Sequence, residues 1–226
     1  MSKKILMAVC TVLTVPTALF AGPWNWKKTA GGEYSFEDPA NWESVGSYAT
    51  YNIINAQTEG KQTITVGEPH DDIGNFYVGG APCPLLFKGE SLLVTSYLSF
   101  KFGETIVENS IDWNTTDRSA LIGSAADSTL RLQNGGTLTL HGDKAFSVGN
   151  AGYPGSLILE KDGTLNLPDG GTVKLGSTAT EGSTGRLLVK EGGTYAGSGN
   201  HRLMVGGQTD GYVRQDGGHD YRRRAA

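Results

Sequence analysis

The sequence predicts an all-β chain folded as a parallel β-solenoid with coils of about 27 residues and an N-terminal cap. Three observations carry this. Glycine supplies 33 of the 226 residues, about twice the usual 7%, without the Gly-X-Y period of collagen. Apolar residues come in short alternating bursts, as strands require, and never at helical spacing over a useful window. A three-strand unit recurs in a fixed order.

The unit is clearest in the C-terminal half. Its first strand closes on a glycine turn at Thr129–Gly136, Ser156–Gly163, Arg186–Gly193 and Tyr212–Gly218, and the closing glycines recur at nearly regular steps. A second short strand follows at Thr137–Leu140, Thr164–Leu167 and, more weakly, Thr194–Tyr195. The third ends on a glycine at Ala120–Gly123, Phe146–Gly149, Val173–Gly176 and Leu203–Gly206. Length varies in the loops rather than the strands, as in solenoids. One unit turns too few side chains inward to offset the entropy of ordering its backbone. Stacked at about 4.8 Å, each strand pairs with its equivalents above and below. Leu130, Leu157 and Leu187 are then mutual neighbours, and Glu160 lies beside Lys190. The alternative is an antiparallel β-sandwich, which explains the strands and turns but not the recurrence of three strands in one order.

Taken from the start, residues 1–21 read as a secretory signal. A basic Met1–Lys4 head precedes the apolar run Ile5–Phe20, and Ala21 stands before Gly22. Residues 22–72 read as an N-terminal cap containing Trp24, Trp26 and Trp42, with burial there the expected fate of these rings. Residues 73–218 read as solenoid. The step from Gly79 to Gly123 is well over one unit long, which predicts an insertion near 101–118. Residues 219–226 read as a basic, disordered tail. Arg214 falls where other units have Leu132, Leu159 and Val189, so the last coil is expected to be half built and its open edge to favour self-association.

Charge and chemistry exclude several classes. The chain carries 19 basic and 23 acidic residues, a net charge of −4. Loss of residues 1–21 removes Lys3 and Lys4 and takes it to −6. Such a chain has no electrostatic reason to bind nucleic acid. Cys10 leaves with the signal, so Cys83 stands alone and is expected to be a buried thiol. The four histidines are not at ligand spacing, and no nucleophile elbow is present. His70-Asp71-Asp72 reads as a turn, and Glu160, Lys161, Lys190 and Glu191 as a solvated charge ladder. No catalytic, cofactor or metal site is therefore assigned. Trp113, between Asp112 and Asn114, is the candidate carbohydrate-binding residue, since an exposed indole can stack on a sugar ring.

Two motifs resemble the autotransporter-associated β-strand repeat proteins, which are large bacterial surface proteins. One runs from Trp24-Asn25-Trp26 through Gly31-Gly32-Glu33-Tyr34 to Asp38-Pro39-Ala40-Asn41-Trp42. The other is Gly135-Gly136-Thr137-Leu138-Thr139-Leu140, echoed at Gly163–Leu167. The resemblance implies a right-handed β-helix and a non-enzymatic structural or adhesive role at the cell surface or outer membrane. It supplies no catalytic residues. The alternative is a polysaccharide-binding or lyase-like β-helix, with extracellular polysaccharide as partner. Members of that family are usually much longer, so a truncated copy is the expectation for a chain that stops inside a unit.

Overall fold

The computed structural model describes residues 23–43, 50–54, 59–115, 118–142, 144–176, 180–198, 200–206, 209–216 and 221–223. The expected signal, residues 1–21, lies outside them. The chain is all-β, and its parallel coils form a solenoid of about seven turns. Three strand faces enclose one core.

The first face stacks Ala30–Ser35, Glu59–Val66, the ends of Asn75–Gly89 and Leu98–Val107, then Ser128–Leu132, Gly155–Leu159, Gly185–Val189 and Gly211–Gln215, all parallel. The second stacks His70–Ile73, Leu92–Val94, Ser110–Asn114, Thr137–His141, Thr164–Leu167 and Thr194–Gly197. The third stacks Trp24–Trp26, Thr50–Ile53, the starts of Asn75–Gly89 and Leu98–Val107, then Ala120–Ile122, Ala145–Val148, Thr172–Leu175 and Arg202–Val205. Alternation along each strand sends every second side chain inward. Leu130, Leu157 and Leu187 are adjacent as expected and buried. A second inward column runs Phe87, Val107, Leu132, Leu159 and Val189.

Left-handed backbone makes the corners. Between the first and second faces, Asn134 and Gly135 have φ of +51° and +83°, and Lys161 and Asp162 have +48° and +66°. Positive φ at both central residues is the type I′ turn. The turns stack on one another, with Asn134 N–H donating to Lys161 O at 2.6 Å and Lys161 N–H to Glu191 O at 3.0 Å. After the third face, Gly149 turns at φ +77°, and a Cβ there would strike the Thr184 carbonyl.

Several expectations are corrected. Residues 101–118 hold no insertion among the described residues. Val78 pairs with Phe100, and Phe100 with Ile122, so each step is one coil. Two short coils therefore fill the gap from Gly79 to Gly123. Ser110–Asn114 pairs in register with Leu92–Val94 below and Thr137–His141 above. The intermediate coil is hidden in the sequence because Lys101 stands where its neighbours close on glycine. The cap over 22–72 is likewise not a separate fold, since its strands already pair in the parallel stack. Its lid is Trp42, which pairs antiparallel beside Trp26, with the ring centroids 4.9 Å apart. Trp26 and Trp42 are buried as expected, while Trp24 is half-buried and stacks on Tyr51. His70-Asp71-Asp72 belongs to a strand rather than a turn. Arg214 pairs with Leu188 in an outward column, and Val213 takes the inward place beside Leu187. The sequence has one residue fewer before its last closing glycines, which shifts the glycine-based alignment by one. Within the tail expected to be disordered, Tyr221–Arg223 forms a strand antiparallel to Gly211–Gln215. Cys83 is only half-buried. It lies in a bulge where the register jumps between Gly80 and Leu85.

Candidate functional site

The candidate carbohydrate residues lie on the second face, where alternation separates them. Ile111 and Trp113 point inward, and Asp112 and Asn114 outward. Trp113 is 0% exposed, and its indole N–H donates to Ser96 O at 2.8 Å. Its ring can stack on no ligand, which corrects the sugar-platform reading of this residue. It sits between Val94 and Leu140 in an inward column. The sequence misleads here because a coil that is in fact regular reads as an insertion.

Asp112 faces outward toward a neighbour that spacing does not reveal. His141 Nε2 lies 2.9 Å from Asp112 Oδ1, and His141 Nδ1 lies 2.8 Å from Asp169 Oδ2. The first contact is a close approach rather than a directed hydrogen bond. The imidazole thus ties together carboxylates from the coils on either side of its own. Asn114 lies beside His141 in register and is exposed.

Glu160 anchors the expected charge ladder on the first face. It meets Lys190 Nζ at 2.8 Å and Arg131 Nη1 at 2.7 Å, and Arg131 also holds Glu104 at 2.8 Å. Burial alone would raise the Glu160 carboxyl. Hydrogen bonds and charge from Lys190 and Arg131 outweigh that and hold it below the usual carboxylate range. Burial would likewise lower the Arg131 guanidinium, and Glu104 and Glu160 reverse the effect. These groups neutralise one another along the columns, an arrangement suited to holding coils together rather than to moving a proton. Sequence spacing does not pick out Arg131, because its partners stand 27 and 29 residues away, one coil in each direction. Among the described residues no three His, Cys, Asp or Glu side chains converge as metal ligands.

Outward side chains of the third face differ in kind. One column runs Asn25, Asn52, Tyr77, Ser99, Leu121, Ser147, Lys174 and Met204 in register from the first coil to the last, without a carboxylate. Tyr77 and Tyr97 lie 5.4 Å apart, and Lys101 Nζ sits 4.4 Å over the Tyr77 ring. Burial, then the neighbouring Tyr77, raises the Tyr97 phenol, so it stays a hydrogen-bond donor. Strands on this face are readable in the sequence, but Tyr77 and Tyr97 are distant along the chain, and only the short coil brings them together. No family model, curated protein or solved structure matches this chain.

Proposed function

We propose that this protein is an exported, non-enzymatic structural and adhesive β-solenoid module of the cell surface, of the kind found in autotransporter-associated β-strand repeat proteins. The observation that carries the reading is the in-register repeat. Inward columns form one continuous apolar core, and Arg131, Lys190, Glu104 and Glu160 of the first face pair with each other across coils. A parallel stack of this type is a rigid spacer with long, regular outer faces. The basic head and apolar run of residues 1–21 support export.

The test is direct. Expression in a bacterial host with fractionation, followed by N-terminal sequencing of the exported protein, should give a mature start at Gly22. Retention in the cytoplasm with Met1 intact would overturn export. A second reading, a polysaccharide-degrading β-helix, is separated by incubating the purified protein with acidic and neutral polysaccharides. New double bonds or reducing ends would establish turnover and overturn the non-enzymatic reading, whereas binding without turnover supports it.

A further inference from the structure

The outward surface of the third face differs from the rest of the molecule in charge and composition. The chain is acidic overall, at −4, yet the column from Asn25 to Met204 holds no Asp or Glu. Lys101, Lys174 and Arg202 lie on this face, and none forms an ion pair with a carboxylate among the described residues. On the first face, by contrast, Arg131 and Lys190 are neutralised by Glu104 and Glu160.

Beside Lys101 stand groups that a sugar polymer needs, and Lys174 and Arg202 lie on later coils of the same face. Tyr77 and Tyr97 are both half-exposed, with Phe76 and Leu98 buried behind them. Lys101 covers one face of the Tyr77 ring, and each tyrosine brings a partly exposed ring and a polar hydroxyl to the surface. Asn52 is next to Tyr77 in the column, with its side-chain amide donating to Asn25 Oδ1 at 2.9 Å. That amide ladder can accept and donate to hydroxyls. Because neighbouring coils are about 4.8 Å apart, the set of groups extends along the solenoid axis over several coils, with the buried Ser99 and Ser147 between Tyr77 and Lys174. It therefore suits an extended chain better than a compact ligand.

We infer that the third face binds an acidic polysaccharide, with Tyr77 and Tyr97 contacting sugar rings and Lys101, Lys174 and Arg202 meeting the polymer's carboxylates. The inference rests on the adhesive reading above and names its ligand class and contact surface. It places carbohydrate contact about these tyrosines instead of Trp113.

The experiment is affinity electrophoresis of the purified chain through gels containing polygalacturonate, alginate or neutral dextran, with single-stranded DNA as a competitor. Polygalacturonate or alginate should retard the protein and dextran should not, with retardation falling as salt is added. Tyr77→Ala and Lys101→Glu should each weaken binding at least about tenfold, the equivalent of roughly 1.4 kcal/mol. The charge reversal keeps the test decisive should Tyr77→Ala lower stability, which a thermal melt on each variant will show. Equal retardation of wild type and Lys101→Glu would overturn the assigned surface and leave the adhesive reading standing. A wild type retarded by none of the polysaccharides would overturn the inference and the polysaccharide partner together. Single-stranded DNA that binds in the polysaccharide's place, with the same loss in both variants, would overturn the ligand class.

Discussion

Single residues here answer to their inward or outward place in a column. Trp113 is the sharpest case. A ligand platform could be removed without harm to the fold, but this ring is fully buried. Trp113→Ala should therefore cost about 3–5 kcal/mol in denaturant unfolding. Asp162 is the opposite case, a non-glycine at φ +66° where the equivalent position below is Gly135. Asp162→Gly should stabilise by about 0.5–1 kcal/mol, because it relieves a left-handed residue. Two carboxyls are held low in the folded state. Burial would raise Glu37, but the Ser35 hydroxyl, the Gly67 N–H and His70 together hold it low, as Lys190 and Arg131 hold Glu160. A carboxyl depressed in the folded state contributes stability that is present at neutral pH and lost as pH falls through the ordinary carboxylate range. Thermal melts should show the midpoint falling on acidification from about pH 5 downward, with a shallower fall in Glu160→Gln.

At the scale of the strand and its turn, coil length is legible where glycine closes the unit and illegible where it does not. Gly123, Gly149, Gly176 and Gly206 all adopt positive φ at the same corner, and each is visible as the end of a third-strand burst. The coil through Phe100 carries Lys101 at that place, inside the unbroken strand Leu98–Val107 whose left-handed glycine is Gly103, so its strands pass for an insertion. Arg214 misleads for a related reason. Alignment on the closing glycines assumes equal spacing from strand to glycine, and the last such spacing is one residue shorter. Columns of Leu, Val and Ile, by contrast, are readable because a buried strand tolerates little else. The corner itself is testable. Gly149→Ala would impose a left-handed alanine and drive its Cβ into the Thr184 carbonyl. It should destabilise by more than about 2 kcal/mol in denaturant unfolding.

For the whole molecule, the first and last described coils differ in how their edges are covered. At the N-terminal end Trp42 and Phe36 cover the core, and the Trp42 indole N–H donates to Phe36 O at 2.8 Å. At the other end the strand Tyr221–Arg223 pairs along the first face, while Arg202–Val205 pairs, among the described residues, only with Thr172–Leu175. Leu203 and Met204 on that last strand are 37% and 44% exposed. Deleting residues 219–226 uncovers a second strand edge and should raise self-association in sedimentation velocity. An edge problem here is legible in the sequence but the returning strand is not, because so short a segment without apolar alternation carries no strand signal. The His141 contacts with carboxylates and the Tyr77–Tyr97 pair are invisible for another reason: each is a contact between coils, and its spacing depends on coil lengths that only the fold defines. Parallel, in-register stacking underlies both the proposed function and the assigned surface, and interstrand NOEs from isotope-labelled protein test it most directly. Backbone contacts should join Leu130 to Leu157 and Leu157 to Leu187. Contacts joining Thr129–Leu132 to Thr137–Leu140 as an antiparallel hairpin, without the first set, would contradict the account.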